Sequence, residues 1–227
     1  MKLKSSHSLV IAADGGAASG KTTGARIISK KFNLKFLSSG LLYRYASYLI
    51  LKFRPKNKEK FIKKKFHNLN LKSLSKIELH TSKISEFTSI IAKEKKIRNI
   101  LMIFQKKFAK KNKRVCIEGR DIGTVILPKA DIKFFFKCSL NLASKRRFKE
   151  FKMNNKKISM AEVKKSLKLR NFRDKTRKNS PLLKSSDAII VDTGKLRNVP
   201  AMIKKMSDTI NKKIKLKYGS WTNKKRK

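Results

Sequence analysis

The chain has 227 residues, of which 40% are apolar, and it carries 61 lysines and arginines against 14 aspartates and glutamates. This length suits one α/β domain with insertions, and no apolar run approaches the roughly 18–20 residues of a membrane span. Met1–Val10 lacks a long apolar stretch before a cleavage site, so we expect no signal peptide.

Two explanations of the formal net charge of +47 remain open. Clustered lysines and arginines bind nucleic acids by releasing counterions from phosphates. A lysine-rich compositional bias gives the same total, and the lysines here occur on nearly every predicted helix rather than in one stripe. This spread favours bias, with non-specific attraction of nucleic acid as its consequence, because net charge informs on neither fold nor site.

The cysteines and histidines predict no metal site built from protein side chains. Cys116 and Cys138 lie in apolar, strand-like runs, where we expect small buried hydrophobes in a reduced cytoplasm. His7, His67 and His80 show no metal-ligand spacing. We therefore expect a cytoplasmic protein without a metal cluster.

Short apolar strands and helices alternate along the first part of the chain. Leu9–Ala13 is a continuous apolar run, typical of a strand covered on both faces, and Thr22–Lys31 has a helical pattern. The next strand is Leu34–Leu37, followed by a serine-rich turn and a helix that reaches about Phe53. Arg54–Leu71 is so polar that we expect an exposed inserted region there.

The middle of the chain contains further strands and a long helical pattern. Ile77–His80 is predicted to be a short strand, and Arg114–Glu118 and Asp131–Phe136 are predicted to be longer ones. Ser82–Lys111 is helical, with a break near Lys93–Lys96. The second half of this stretch has one apolar stripe, made of Ile97, Ile100, Leu101, Phe104 and Phe108.

The last part of the chain completes an α/β pattern. Two helices, Leu140–Lys152 and Glu162–Arg170, precede the strand Ala188–Thr193, and a final helix covers Val199–Ile214. Tyr218–Lys227 is a basic tail that we expect to be mobile. Strands alternating with helices indicate a parallel sheet with helices on both faces and right-handed crossovers.

A phosphate-binding loop follows the first strand. Read from Gly15, the stretch Asp14–Thr23 matches G-x-x-x-x-G-K-[ST] between a strand and a helix. Small residues let the backbone wrap an anion, and Lys21 reaches its outer oxygens. We therefore predict a phosphate site that comprises Gly15, Gly16, Ala17, Ala18, Ser19, Gly20, Lys21, Thr22 and Thr23.

Three more polar clusters follow strands or lie beside a segment that we expect to be mobile. Ligands of open parallel sheets bind beyond the carboxyl ends of the strands, so arginines placed there converge on the phosphate-binding loop. Because arginine suits bidentate recognition of anions, we predict phosphate or nucleotide contacts rather than surface ion pairs. The clusters are Ser39 with Tyr43 and Arg44, then Gly119–Asp121, and then Arg170, Asp174 and Arg177 on one helical face.

In this order the motifs resemble those of bacterial cytidylate kinases, which are P-loop nucleoside monophosphate kinases. The resemblance covers about residues 8–193, and its most specific run is Gly119–Pro128, similar to G-R-D-x-G-T-x-V-x-P. The other matching stretches are Asp14–Thr23, Ser39–Arg44, Ser89–Ala92 with Arg98 and Gln105, Arg170–Leu182 and Asp187–Thr193.

The resemblance implies a single P-loop kinase domain over residues 1–227, with a parallel five-stranded α/β core, an inserted CMP-binding region and a mobile lid. Its parts are a core at about 1–54, 112–149 and 179–227, a nucleoside monophosphate-binding insert at about 55–111, a lid at about 150–178 and a basic tail at 215–227.

The same resemblance implies phosphoryl transfer from ATP, with Mg²⁺, to CMP or dCMP by a monomer in pyrimidine nucleotide metabolism. The phosphate-binding loop holds ATP, Ser89 lies at the cytosine, and Arg170 and Asp174 contact the ribose. The implied catalytic residues are Lys21, Arg120 and Arg177. The implied substrate-binding residues are Ser39, Arg44, Ser89, Arg120, Arg170, Asp174 and Arg177.

Several positions depart from the family pattern. Ser38 and Asn171 stand where the family usually has aspartate, Gly16–Ala18 replaces Pro-Ser-Gly, and Ala143 stands where an arginine is frequent. Thr22 is commonly Gly or Ser in the family, so it is a weaker candidate for a magnesium ligand than Lys21 is for a phosphate ligand. We expect these departures to affect rate and specificity more than reaction type.

Two alternatives stay open. One is another P-loop small-molecule kinase, acting on shikimate, adenylate or thymidylate, against which Ser89, Arg120 and the long insert argue. The other is a basic RNA- or ribosome-binding protein without enzymatic activity. The sequence lacks the aromatic motif of an RRM and the GXXG loop of a KH module.

Overall fold

A five-stranded parallel sheet forms the centre of the structure, a computed structural model that describes residues 6–153 and 158–219. The strand order is β2-β3-β1-β4-β5, and each pair of neighbouring strands is parallel, as the sequence predicts. The strands are β1 Leu9–Gly15, β2 Lys35–Ser38, β3 Arg114–Gly119, β4 Ile132–Lys137 and β5 Ile189–Asp192.

Helices connect the strands, and two short turns add to them. A 3₁₀ turn covers Leu71–Lys76, and a π-helical turn that the sequence did not indicate covers Ile122–Ile126. The α-helices are α1 Lys21–Lys31, α2 Ser39–Phe53, α3 Lys58–His67, α4 Ser82–Ile91, α5 Lys95–Lys111, α6 Leu140–Met153, α7 Met160–Thr176 and α8 Val199–Tyr218.

Two apolar cores lie on opposite faces of the sheet, so the predicted helix cover on both faces is confirmed. On β1, Ala12 belongs to one core, whereas Leu9, Ile11 and Ala13 belong to the other. Successive strand residues point to opposite faces, which explains the division. The first core joins the sheet to α2–α5, and the second joins it to α1 and α8.

The polar region after α2 contains a helix, so the expectation of an exposed insertion is wrong in part. The Asn57 side chain accepts a hydrogen bond from the backbone N–H of Lys60 and caps α3. The lysines of α3 are exposed, but Ile62 and Phe66 are buried in the first core. Phe61 also packs against this core. The buried residues of α3 are just two, spaced four apart among lysines, so the sequence pattern of a packed helix is weak here.

The predicted strand at Ile77–His80 is absent from the described structure. Leu79 is buried, and its carbonyl accepts a hydrogen bond from Arg44 instead of pairing with a strand. The predicted break in the following helical stretch is confirmed, since α4 ends at Ile91 and α5 begins at Lys95.

The last helices run further than the sequence indicated. A capping box of Ser159 and Glu162 begins α7, which continues past Arg170 to Thr176. The helix α8 continues past Ile214 to Tyr218, so it includes the residues expected to begin the basic tail. Residues 154–157 of the expected lid and residues 220–227 of the tail lie outside the described residues. Among the helices described, none is long and apolar enough to cross a membrane.

Tyr218 joins the end of α8 to the start of β1. Its hydroxyl donates to the Ser8 carbonyl at 2.7 Å and accepts from the Ser8 N–H at 2.9 Å, and its ring stacks on His7 with centroids 3.8 Å apart. Beside it, Lys217 forms a 2.7 Å ion pair with Asp131. These contacts fix the end of α8 to the residues that lead into β1 and β4.

Tyr218→Ala is expected to lower the free energy of unfolding by about 1–3 kcal/mol, because the ring contact and both hydroxyl bonds are lost. Urea unfolding followed by circular dichroism measures this change. Leu216→Ala, which truncates an exposed side chain on the same helical turn, is the control and should change the value by less than about 0.5 kcal/mol. Equal losses in the two variants would attribute the effect to helix propensity instead.

Candidate active site

The phosphate-binding loop between β1 and α1 is shaped by its small residues. Gly20 and Ala18 have left-handed backbone angles, with φ of 83° and 53°. A Cβ on Gly15 would lie 2.5 Å from the carbonyl oxygen of Phe136 on β4, so the loop can leave the sheet here only at a glycine. The loop leads directly into the N-terminus of α1, where backbone N–H groups and the helix dipole favour a bound anion.

Lys21 is buried at the base of this loop. Its ammonium donates to the Gly16 carbonyl at 3.2 Å and lies 3.8 Å from the Glu118 carboxylate. Burial and, to a smaller extent, the charge of Arg120 lower the pKa of Lys21 to about 7, and Glu118 acts in the opposite direction. Phosphate oxygens placed here would favour the charged form of Lys21, as an anion near an ammonium always does.

A polar cleft opens beside the loop at the carboxyl ends of β2 and β3, where ligands of parallel sheets bind. Its walls come from α2, α4, α5, α7 and the loop after β3. The lining residues are Ser39, Gly40, Tyr43, Thr88, Ser89, Ala92, Arg98, Gly119, Arg120, Asp121, Arg170, Asp174 and Arg177.

Most of the predicted substrate-binding residues line this cleft together, and Arg44 is the exception. Arg44 is buried, and its guanidinium donates to the Leu79 carbonyl at 3.0 Å and to the Ser85 hydroxyl at 2.7 Å. Burial lowers the pKa of Arg44 to about 9. In this structure Arg44 therefore joins α2 to the start of α4. The predicted residues in the cleft are Ser39, Ser89, Arg120, Arg170, Asp174 and Arg177.

Asp174 organises the arginines of the cleft. One carboxylate oxygen accepts from Arg120 at 2.7 Å, and the other lies 3.6 Å from Arg177. Burial acts to raise the pKa of Asp174, but Arg120 and Arg170 outweigh it and hold the pKa below its ordinary value. Asp174 is therefore an anion that fixes two guanidinium groups beside Lys21.

Arg98 and Asp121 line the cleft but are not among the substrate-binding residues that the resemblance implied, although Asp121 belongs to the Gly119–Asp121 cluster predicted to contact phosphate or nucleotide. They form a hydrogen-bonded ion pair in which both side chains are buried, and Arg177 lies 3.6 Å from the same carboxylate. Burial raises the pKa of Asp121, with Arg98 and Arg177 acting against the rise. The sequence does contain one signal, since Arg98 and the run Gly119–Pro128 belong to the stretches that resemble the family.

Asp14 connects the phosphate-binding loop to the Gly119–Asp121 motif. Its buried carboxylate accepts from the N–H groups of Ile122 at 2.8 Å and Gly123 at 2.7 Å. Burial raises the pKa of Asp14 to about 6, although these two hydrogen bonds oppose the rise. The π-helical turn after Asp121 is what aims both N–H groups at the carboxylate.

Helix α7 makes two contacts that the sequence did not predict, one with the phosphate-binding loop and one with α4. The side-chain amide oxygen Oδ1 of Asn171 accepts from the backbone N–H of Ala17 at 3.1 Å. The Arg173 guanidinium donates to the Ser89 hydroxyl at 2.9 Å. Both contacts join residues far apart in the chain, so local sequence patterns carry no sign of them.

Ser38 and Ala143, two of the positions that depart from the family pattern, contribute to local structure. The Ser38 hydroxyl hydrogen bonds to Glu118 and accepts from the Leu41 N–H at 3.2 Å, which caps α2. Ala143 is buried in a small apolar core with Ala17 and residues of α6 and α7. Within residues 6–153 and 158–219, no group of three or more His, Cys, Asp or Glu side chains could hold a metal ion.

Lys21→Met tests the buried ammonium through the pH dependence of stability. The pKa of Lys21 falls from 10.5 to about 7 on folding, so between these values the unfolded chain binds more protons and wild-type stability rises with pH. Relative to Lys21→Met, the wild type should therefore gain stability between pH 7 and pH 10. Urea unfolding of both proteins across this range measures the difference, and a constant difference would contradict the lowered pKa.

Comparison with known proteins gives the family. The family profile described as cytidylate kinase matches residues 11–212. A protein of Fusobacterium nucleatum subsp. nucleatum, named cytidylate kinase, is 36% identical over 217 residues, which cover 91% of this chain and 97% of that protein. A cytidylate kinase of Rickettsia rickettsii is 36% identical over 211 residues, which cover 92% of this chain and 94% of that protein.

Solved structures show the same fold at low sequence identity. An uncharacterized protein from Eubacterium ventriosum is 16% identical, with a TM-score of 0.55 and coverage of 89% of this chain and 98% of that one. A shikimate kinase from Bacteroides thetaiotaomicron is 10% identical, with a TM-score of 0.50 and the same coverage. Because the cytidylate kinase profile spans residues 11–212 and the relatives match along nearly their whole length, the chain belongs to the cytidylate kinase family.

Proposed function

We propose that the protein transfers the terminal phosphoryl group of ATP to CMP or dCMP, which gives ADP and CDP or dCDP in pyrimidine nucleotide metabolism. One observation carries the proposal. Lys21 of the phosphate-binding loop, Arg120 after β3, Asp174 on α7 and Arg177, which directly follows α7, meet at one edge of the sheet. A donor loop and an acceptor cleft thus share one group of cations, as transfer between two nucleotides requires.

In this proposal catalysis consists of positioning and charge neutralisation. The attacking oxygen of a nucleoside monophosphate is already anionic near neutral pH, so no general base is needed. Lys21, Arg120 and Arg177 stabilise the charge on the moving phosphoryl group. Asp174 holds both arginines before the reaction, which reduces the reorganisation that the transition state demands.

The acceptor base is read by the wall that Ser89, Arg98 and Asp121 form in the cleft. Cytosine offers ring and carbonyl acceptors to a guanidinium, and its amino group donates to a carboxylate or to a hydroxyl oxygen. Uracil has a carbonyl in place of the amino group and would face the Asp121 carboxylate with a second acceptor. Arg170 and Asp174 are the ribose contacts in this proposal, and Ser39 serves the acceptor phosphate. Arg44 could join Ser39 only if its guanidinium left the Leu79 carbonyl and the Ser85 hydroxyl.

The residues present fit a magnesium ion. Mg²⁺ retains several waters and binds mainly to nucleotide phosphates, with only one or two protein oxygens. The Thr22 hydroxyl stands at the head of α1, and Oε2 of Glu118 is buried without a hydrogen-bond partner among the described residues. These two groups would hold the ion, which neutralises phosphate charge when bound.

We also propose that the protein is a monomer and works in the cytoplasm, with residues 55–111 as the acceptor-binding insert and 150–178 as the lid. Both cysteines are free thiols, which supports a reducing compartment.

A coupled assay of ADP release tests the reaction. ATP with CMP or dCMP should give robust turnover, whereas AMP and shikimate should give little. Lys21→Ala should lower kcat at least about a hundredfold, because a donor aimed at the transferring group is lost. Lys31→Ala, an exposed change at the other end of α1, is the matched control. Turnover with AMP or shikimate and none with CMP or dCMP would refute the proposal, as would salt-sensitive RNA binding without ADP release.

Asp121→Asn tests the reading of the base. The carboxamide keeps the size of the side chain and can donate to the uracil carbonyl, so the ratio of kcat/KM for CMP over UMP should fall at least about tenfold. Asp208→Asn, on the exposed face of α8, is the control for loss of a carboxylate. An unchanged ratio in a folded Asp121→Asn protein would place the base elsewhere.

A further inference from the structure

Helix α7 contacts both halves of the site through two residues that have no assigned role. Asn171 accepts a hydrogen bond from the Ala17 N–H in the phosphate-binding loop at 3.1 Å. Arg173 donates to the hydroxyl of Ser89 on α4 at 2.9 Å. Both α7 residues are half-buried, so each contact is partly shielded from water.

The spacing of the two residues explains why they reach different partners. Residues two apart on an α-helix point in directions about 200° apart. Asn171 therefore faces the donor loop, Arg173 faces the acceptor wall, and Asp174 stands in the cleft with Arg120. The two contacts share no residue, so either one can be removed without touching the other.

We propose that Asn171 and Arg173 are positioning residues for the phosphoryl transfer, Asn171 for the donor nucleotide and Arg173 for the acceptor. This inference rests on the proposed function. Neither side chain touches a reacting atom in the proposal, and each acts through the group to which it is hydrogen bonded.

On the donor side, Asn171 holds the beginning of the loop. A Cβ on Gly16 would lie 3.4 Å from the Asn171 carbonyl oxygen, so this side chain packs directly on the loop backbone. The hydrogen bond from the Ala17 N–H holds the loop backbone in place. The N–H groups that follow, up to Lys21, therefore keep the direction needed to bind a phosphate. An aspartate at position 171 also presents an acceptor oxygen and would keep the contact.

On the acceptor side, Arg173 orients the Ser89 hydroxyl. That hydroxyl donates to the Glu86 carbonyl at 2.8 Å and accepts from Arg173, so its oxygen is held between two fixed partners. A serine held in this way meets the acceptor base in one rotamer. Without Arg173 the hydroxyl keeps only its bond to the Glu86 carbonyl, so its oxygen is held by one partner instead of two and the acceptor must order it further on binding.

The test is a pair of variants, each of which should raise the KM for one substrate and leave the KM for the other unchanged in steady-state kinetics. Asn171→Ala should raise KM for ATP about three- to tenfold and leave KM for CMP within about twofold, since one neutral hydrogen bond is lost. Arg173→Ala should raise KM for CMP about tenfold and leave KM for ATP within about twofold, since a charged hydrogen bond is lost. Titration calorimetry with ATP alone and with CMP alone should show the same division.

Two further variants serve as controls. Asn171→Asp, which keeps the acceptor oxygen, should restore KM for ATP to within about twofold of the wild type. Lys175→Ala removes an exposed charge from the same helix and should change neither KM. If an alanine variant fails to fold by circular dichroism, Asn171→Ser and Arg173→Gln replace it, with the same expectations.

Several results would overturn the inference. Equal rises of both KM values in either variant would indicate a general loss of α7 packing, and unchanged values would show that the contacts are unimportant. Failure of Asn171→Asp to restore KM would rule out the acceptor oxygen as the cause. A wild type that binds ATP but releases no ADP with CMP or dCMP would refute the proposed function instead, and calorimetry with ATP would still test the Asn171 contact.

Discussion

Positive charge buried beside the phosphate-binding loop is the constraint on which the rest of the site depends. Lys21 and Arg177 are buried, and the Arg120 side chain is only 14% exposed. Removing such groups from water costs several kcal/mol per ion unless each is paired and hydrogen bonded. Asp121 and Asp174 supply these pairs for the arginines, and each contacts two guanidinium groups. Glu118 supplies the pair for Lys21. The cations that a phosphoryl group needs are therefore fixed in place by the requirement for charge balance.

Asp14 connects the cationic group to the sheet. It pairs with Gly119 across β1 and β3, and its carboxylate bonds to the two N–H groups that follow Asp121. The position of the donor loop and the position of Arg120 are thus set by one buried side chain. Its pKa of about 6 means that Asp14 is mostly anionic at neutral pH, where the two N–H groups stabilise its charge.

The sequence predicts what depends on local spacing and misses what depends on distant partners. The phosphate-binding loop and the apolar strands follow from short-range patterns, and the described structure contains both. The strand expected at Ile77–His80 fails because its backbone is used by Arg44, which no local rule foresees. The helix α3 was missed because lysines surround its two buried residues. The hydrogen bond of Asn171 could not be predicted for another reason, since its partner Ala17 is 154 residues away in the chain.

The position of α7 has a consequence for how the proposed reaction avoids wasting ATP. A site rich in cations that activates ATP would also promote hydrolysis unless water is excluded until the acceptor is present. One helix, α7, contacts the donor loop on one side and the acceptor wall on the other. Asp174, which pairs with Arg120 and Arg177, lies on the same helix. In the proposed reaction, a displacement of α7 would therefore disturb the loop, the wall and the cationic group together, so the moving phosphoryl group is stabilised fully only when α7 is in the position seen in this structure.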